Sequence, residues 1–313
     1  KKMATQTLVQ AKLRINNEIV SGVVQDIITT NPLFTVLPTT SYDGQALLVN
    51  REVTLGDSQN LAIGGTITAK AASTNAQTPF TAITIIGDAE MNGLVQAQSA
   101  SAGVDQMMSE VASKAKSVGR RIQEGIASGS GTSPAMNSYH SLCAAAQYTS
   151  ASAGQALSFD LLDELLDLIK AKDGEVDYLT CNGAQLRKYR SLVRQLGGVN
   201  ETIAFDMGDG RSRNIDVYNN IPIFQNDWIG STETANGAAL AGGALTSMYG
   251  GVFDDGTQKI GQSLIHPASV PAGIDVEVVG VAETKDETIT RVKAYTNFVN
   301  FNNKGLARLT SLS

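Results

Sequence analysis

VDQMMSEVASKAKSVGRRIQEGIAS, residues 104–128, is the stretch that decides the fold. Apolar side chains recur in it at the three-to-four-residue spacing of one α-helical face: Val104, Met107, Met108, Val111, Ala115, Val118, Ile122 and Ile126. At 1.5 Å per residue the helix would be a rod of roughly 38 Å. Gly129 follows where helices often end. The other face carries four basic residues, which we interpret as solvated: Lys114, Lys116, Arg120 and Arg121.

Upstream of this helix, the sequence predicts an arm and a long hairpin. Residues 1–40 are interpreted as an arm whose apolar run, 33–37, has no local partner and needs a surface elsewhere. Residues 45–70 predict the hairpin, with a strand to Leu55, a turn at 56–60 and a return from 61 to 70. A two-stranded ribbon alone is marginally stable, so we expect it to project onto another surface. Residues 71–79 have loop composition, and a strand is predicted over about 80–86.

Downstream of the helix, the pattern predicts a mixed α/β unit. Ser158 is the expected N-cap of a leucine-rich helix, and 177–181 is a short strand. Asn182 and Gln185 have capping-box spacing and open a second helix. Its expected buried residues are Leu186, Tyr189, Val193 and Leu196. This alternation of strand and helix indicates an α+β protein.

The last third of the chain predicts β-structure. Asp209-Gly210 marks a hairpin turn, and 230–244 has the composition of an exposed loop. The predicted strands are 215–218, 221–224, 248–253, 274–281 and 288–301.

Composition limits the functional classes. Of 313 residues only 17% are charged, against about 25% in an ordinary domain. A polar but weakly charged surface costs little to desolvate and favours self-association. The net charge of −6 argues against tight DNA binding. Cys143 and Cys181 are expected to be free thiols, and the sequence contains no run of 18 apolar residues that would predict a transmembrane helix.

Candidate catalytic chemistry finds no support in the sequence. His140 and His266 are the only histidines, and neither has ligand-spaced neighbours. There is no nucleophile elbow, P-loop or dinucleotide fingerprint. We interpret the acidic residues of 160–167 as a solvated helix face, and Asp254-Asp255-Gly256 and Asp286-Glu287 as turns or surface acidity. The sequence therefore predicts no catalytic, cofactor-binding or metal-binding residue, and no enzyme.

Five sequence segments, in order along nearly the whole chain, resemble segments of the major capsid proteins of tailed bacteriophages. They are 31–38 with 50–52; the long helix with 129–131 and 136–137; 218–229, with Asn220 where glycine is usual; 249–256; and 286–295 with 306–309. The resemblance implies the Hong Kong 97-type capsid fold. It also implies a map: N-arm 1–40, extended loop 41–82, peripheral domain 83–140 with its spine helix, axial domain 141–280, and peripheral C-terminal strands 281–313.

The resemblance further implies the partners. Copies of the chain would form pentamers and hexamers of an icosahedral virion shell, assembled in the host cytoplasm around double-stranded DNA. DNA contact would be weak and non-specific, scaffolding, portal and cement proteins are candidate partners, and no membrane is involved. A scaffolding segment upstream of Lys1 would have been removed by proteolysis. A covalent link from Lys70 to Asn297, Asn300, Asn302 or Asn303 is not expected, because no matching motif is seen.

Two other readings remain open at this point. One is an encapsulin, a shell of the same fold that encloses enzymes. The other belongs to a different class: a secreted carbohydrate-binding or hydrolase-like α+β protein.

Overall fold

A computed structural model describes Leu33 and residues 36–101, 106–171, 174–197, 201–206, 212–233, 244–256, 261–270 and 273–313. The helices in these ranges are α1 (Gly93–Ser101), α2 (Gln106–Ser128), α3 (Tyr139–Leu142), α4 (Phe159–Lys170) and α5 (Gly183–Gln195). The strands are β1 (Thr39–Tyr42), β2 (Leu47–Thr54), β3 (Thr74–Phe80), β4 (Ile83–Asn92), β5 (Tyr148–Gln155), β6 (Tyr178–Cys181), β7 (Thr202–Asp206), β8 (Ser212–Tyr218), β9 (Ile221–Gln225), β10 (Thr246–Gly251), β11 (Gln262–Pro267), β12 (Ile274–Val281), β13 (Glu287–Asn300) and β14 (Leu306–Leu312).

The first sheet is organised around β13. The amino-terminal part of β13 pairs with β12 on one side and β4 on the other, both antiparallel. Its carboxyl-terminal part pairs with β11, which pairs in parallel with β1. A strand with partners on both edges is fully hydrogen-bonded, so β13 forms the centre of this sheet.

The long helix α2 packs on β4 and β13. Val118, Ile122 and Ile126 are buried in one core with Val292 and Ala294 of β13. The predicted apolar face is wrong at two positions, because Met108 is 71% exposed and Ala115 is exposed as well. Those positions lie in the amino-terminal half of the helix, where the buried stripe is narrower than the sequence pattern.

The end of α2 at Ser128 matches the prediction, but Gly129 acts by a different mechanism from the one expected. Gly129 does not have a positive φ, whereas Gly131 does, at 72°. A Cβ built on Gly129 would lie 2.2 Å from the carbonyl oxygen of Met136. Glycine is therefore needed here because the returning backbone passes close to the helix end.

The second sheet has seven strands, in the order β5-β14-β10-β6-β9-β8-β7. Helix α4 packs on β14, β5 and β10, and α5 contacts β9. As predicted, the Ser158 side chain caps α4 by accepting from the amide of Leu161. The residues that α4 buries are Leu161, Leu162, Leu165, Leu166 and Ile169.

The cap of α5 differs in part from the prediction. Asn182 accepts from the amide of Gln185, but the Gln185 side chain donates to the carbonyl of Ser313 and leaves the capping box incomplete. Leu186 and Tyr189 are buried as predicted. The prediction that Leu196 belongs to the core is wrong. It is 75% exposed, because the helix ends at Gln195 and its buried face stops there.

Strand β14 was not predicted, and it divides the segment 281–313 between the two sheets. All seven of its residues are buried between β10 and β5. Strand β13 lies in the first sheet, and so do β11 and β12, although β11 precedes position 281 and β12 ends there. A strand buried on both faces has no apolar–polar alternation, so periodicity gives no signal for it.

The apolar run before β1 does have a partner within the subunit, contrary to the prediction. Leu33 and Leu37 are buried in the core under α2, and Val36 packs against it. The other predicted arm residues, 1–32 and 34–35, lie outside the described residues.

The strands after α5 are joined by one turn that was predicted and one that was not. Strands β7 and β8 pair as an antiparallel hairpin, but Asp209-Gly210 and most of 230–244 lie outside the described residues. Asn219 and Asn220 join β8 to β9 with φ of 49° and 66°. Two successive positive φ values define a type I′ hairpin turn, for which asparagine is a favoured residue.

We expect Gly129→Ala to lower the free energy of unfolding by about 2 kcal/mol, because the new methyl group must displace backbone. Gly119→Ala, inside α2, is the matched control. A Cβ at Gly119 meets no atom within 4 Å, so alanine should raise stability by about 0.5–1 kcal/mol. Denaturant titration of both variants checks this, and equal effects would contradict the close-approach explanation.

Candidate assembly surfaces

The hairpin of β2 and β3 projects from the first sheet, and its return strand differs from the prediction. Residues 74–80, not 61–70, pair with β2. Thr54 and Thr74 share a hydroxyl hydrogen bond of 2.6 Å, and Gln77 Nε2 donates to Asn50 Oδ1 at 3.1 Å. These polar cross-strand pairs suit a ribbon that is exposed on both faces. Strand β3 was not predicted, because it lacks the β-branched apolar residues typical of a strand.

Residues 55–73 form the tip of this hairpin and contain no strand. The Gln59 side chain organises the tip. Its Nε2 donates to the carbonyl of Thr66, and its Oε1 accepts from the amides of Thr68 and Ala69, all within 3.0 Å. Large apolar side chains remain exposed around this polar centre: Leu55, Leu61, Ile63 and Ile67. The tip therefore combines a hydrogen-bonded polar centre with an apolar surface that the subunit does not cover.

The base of the hairpin is anchored, unlike its tip. Leu47, Val49 and Phe80 are buried in a small cluster with residues of β11 and β13. The guanidinium of Arg51 lies 5.5 Å from the Phe80 ring centroid and donates to the carbonyls of Asn300 and Phe301. It also donates to Asn303 Oδ1 at 2.7 Å. Arg51 thus ties the ribbon to the end of β13.

Strand β12 carries a second exposed apolar surface. Ile274, Val276 and Val278 pair with Ala294, Val292 and Thr290 of β13. Paired residues of antiparallel strands point to the same side, so these β12 residues extend the face on which α2 packs. They remain exposed, because α2 lies over β4 and β13. Among the described residues, no strand pairs with the other edge of β12.

The sheet beneath α2 also carries charge pairs. Arg291 makes a two-bond ion pair with Asp88, at 2.8 and 2.9 Å. The hydrogen bond from Arg291 lowers the pKa of Asp88. Glu277 of β12 pairs with Lys293 of β13. Both pairs join neighbouring strands and leave the apolar strip of β12 uninterrupted on the opposite face.

The predicted basic face of α2 is partly engaged within the subunit. Arg120 lies over the Trp228 ring at 5.5 Å, and Arg121 pairs with Glu124 at 2.7 Å. The ring of Trp228 covers one face of the Arg120 guanidinium, whereas the Arg121 side chain remains 67% exposed. Four basic residues, one of them engaged in this way, are a small electrostatic footprint for strong nucleic-acid binding.

The residues considered for chemistry do not converge into a site. His140 contacts Arg308, while His266 lies on β11. Both cysteines are free and buried, and burial raises the pKa of each thiol to about 12. On the acidic face of α4, Asp163 accepts from the Tyr218 hydroxyl and Glu164 from that of Thr149. Within the described ranges, no cluster of three or more His, Cys, Asp or Glu could hold a metal ion.

The asparagines considered for a crosslink are engaged within the subunit or deeply buried. Asn297 Nδ2 donates to the carbonyl of Thr81, and its Oδ1 accepts from the amide of Asn137. Asn300 is buried, Asn302 caps a 3-10 turn, and Asn303 binds Arg51. No helix in the described part of the chain is long and apolar enough to cross a membrane.

Comparison with solved structures identifies the fold. The chain is similar to the holo-SrpI encapsulin complex from Synechococcus elongatus PCC 7942, with a TM-score of 0.72, 15% identity, and 99% and 97% of the two chains covered. It is similar to the cyanophage A-1(L) capsid, with a TM-score of 0.70, 11% identity and coverage of 95% and 96%. The capsid of the native GTA particle gives a TM-score of 0.64, 12% identity and coverage of 95% and 94%.

No family model and no curated protein matches the sequence. The structural likenesses nevertheless extend over nearly the whole of each chain. The chain therefore has the Hong Kong 97-type capsid fold, with mixed helix and sheet, as the resemblance implied.

We expect Arg51→Ala to loosen the hairpin base, because two backbone carbonyls lose a charged donor and Phe80 loses its cation. Hydrogen bonds to charged groups contribute about 1.5–3 kcal/mol, so local opening should increase at least about tenfold. Limited proteolysis within β2 and β3 measures this opening, because the paired strands are protected while the base is anchored. Arg51→Lys keeps the charge without the planar fork and should give an intermediate rate; unchanged cleavage in Arg51→Ala would refute the anchoring role.

Proposed function

We propose that this chain is the subunit of a self-assembling protein shell, and specifically the major capsid protein of a tailed bacteriophage. The observation that carries the proposal is the pair of uncovered apolar surfaces, the hairpin tip and β12, on a fold whose structural neighbours are shell proteins. In such a shell, copies would bury both surfaces against one another. Each contact would be modest, and the sum over many copies large.

The domain map of such a subunit is also a proposal. Residues 1–40 form the N-arm and 41–82 the extended loop. The peripheral domain consists of the first sheet with α2 as its spine helix, and the axial domain of the seven-stranded sheet with α4 and α5. Sheet membership supports assigning β14 to the axial domain and β11 to β13 to the peripheral domain.

The proposed partners follow from this role. Copies of the chain would form pentamers and hexamers of an icosahedral virion shell, with the DNA touched weakly. The net charge of −6 supports weak contact. Scaffolding, portal and cement proteins would be further partners, and assembly would take place in the host cytoplasm.

An encapsulin is the second candidate, and a specific observation favours it. The SrpI encapsulin is similar over 99% of this chain, with a TM-score of 0.72. The five sequence segments that resemble phage capsid proteins, including the stretch from Tyr218 to Ile229, favour the phage protein instead.

The first test removes the tip and keeps the strands. Replacing 56–72 with Asn-Gly should leave a folded subunit, since β2, β3 and the buried base remain, but one that forms no stable shells. Circular dichroism checks the fold and electron microscopy the particles. The matched variant keeps the loop length and changes Leu55, Leu61, Ile63 and Ile67 to serine. Normal shells from both variants would exclude the tip as an assembly contact.

The second test concerns the contents of particles isolated from their natural source. A phage capsid should protect double-stranded DNA from added nuclease, because the closed shell excludes the enzyme. Nucleic-acid staining of nuclease-treated, gradient-purified particles measures this. Shells that hold a protein cargo and no DNA would favour the encapsulin. A purified protein that forms no particles would favour the secreted class.

A further inference from the structure

Arg308 places a positive charge inside the seven-stranded sheet. It lies on β14 and its side chain is 0% exposed. Burying an ion is costly unless it is paired and hydrogen-bonded. The groups that contact this guanidinium should therefore be ones that compensate for its burial. A change in the protonation state of such a group should alter the stability of the sheet.

A carboxylate and two aromatic rings contact the Arg308 guanidinium. Glu233, 2% exposed, accepts from Arg308 Nη2 at 3.0 Å. Ser247 links the two groups, accepting from Arg308 Nε at 3.0 Å and donating to Glu233. The rings of Tyr148 and Tyr249 lie 5.4 and 5.6 Å from Arg308 Cζ. These groups come from β5, β10 and the segment after β9, so Arg308 joins several strands.

His140 supplies another partner, and the contact fixes its protonation state. Arg308 Nη1 lies 2.6 Å from His140 Nδ1. A guanidinium can only donate hydrogen bonds. Nδ1 must therefore accept, which requires a neutral imidazole with its proton on Nε2. An imidazolium has a proton on both nitrogens and would face a fixed cation without an acceptor.

The position of His140 makes this contact a link between two parts of the fold. It lies on α3, a short helix capped by Ser138, whose hydroxyl donates to the carbonyl of Gly129 just after α2. The ring of Tyr139, the preceding residue, stacks on Tyr249 of β10. The contact with Arg308 thus ties the connection from α2 to a strand at the centre of the second sheet.

We infer that the His140–Arg308 contact is an acid-sensitive latch between the end of the spine helix and the seven-stranded sheet. A proton taken from solvent by Nδ1 removes the acceptor and creates a second cation beside Arg308, which opens the contact. Glu233 lies at a different nitrogen of the guanidinium, and its contact persists. This inference goes beyond the proposed function and does not depend on shell formation.

The titratable groups around His140 support a low-pH transition. Arg308 of β14 is the charged group in contact with it, while Tyr148 of β5, Tyr249 of β10 and Cys143 after α3 surround the guanidinium. Burial and the charge of Arg308 lower the pKa of His140 below 6.5. The unfolded chain then takes up its proton first. The latch therefore stabilises the fold fully above about pH 6.5, and the stabilisation is lost as pH falls toward the folded-state pKa.

The test compares thermal unfolding midpoints from pH 7.5 to 5.0 in the wild type and His140→Asn. The asparagine Oδ1 takes the place of Nδ1 and accepts at every pH. We expect the wild-type midpoint to fall several degrees further than that of His140→Asn. Identical slopes in the wild type and His140→Asn would overturn the proposal.

If His140→Asn does not fold, a second measurement on the wild-type protein tests the same proposal. Of the two forms of histidine, diethylpyrocarbonate modifies the neutral imidazole and not the imidazolium, and mass spectrometry separates the two histidines of the chain. The pH midpoint for modification of His140 should be lower in the folded protein than in the urea-unfolded protein. An equal or higher midpoint in the folded protein would overturn the latch.

Discussion

The hydrogen-bonded pairing of β13 is the constraint on which the rest of this subunit depends. One fourteen-residue strand holds β12 and β4 along one part and β11 along the other. Its Val292 and Ala294 form the floor under α2, and Asn297 binds the backbone of the turn that follows α2. The carbonyls of Asn300 and Phe301 at its end hold Arg51. The helix, the turn and the hairpin are thus all positioned by one strand.

This arrangement also determines what the subunit leaves uncovered. A helix is about 10 Å wide with its side chains, so α2 covers β4 and β13 but not β12 at the sheet edge. The hairpin leaves the sheet at Arg51 and extends beyond any core that could cover its tip. Exposed apolar edges and ribbons are aggregation hazards in a monomer. In the shell subunit that we propose, the same features would become contacts between copies.

The sequence predicted features whose signal is local and missed those that depend on distant packing. The end of α2 and the caps at Ser158 and Asn182 follow from spacing and short-range hydrogen bonds, and they were predicted. Strand β14 is buried on both faces, and β3 is exposed on both, so neither alternates. The burial of Leu33 against α2 is a contact across the chain that no local pattern records. Of the two candidate assembly surfaces, the hairpin was predicted from the sequence. Strand β12 was predicted as a strand but not as an exposed surface, because its exposure depends on where α2 lies.

The buried charge of Arg308 illustrates why polarity alone cannot reveal such a network. In the sequence it is one arginine among apolar residues near the chain end, and Glu233 lies 75 residues away. An apolar replacement of a buried ion pair is often neutral or stabilising, so stability alone does not explain the network. Arginine offers several donors in a fixed plane, and these can bind a carboxylate and an imidazole at once. A leucine at this position could fill the volume, but it would remove the donor to His140 Nδ1, and with it the contact that we infer to open on protonation.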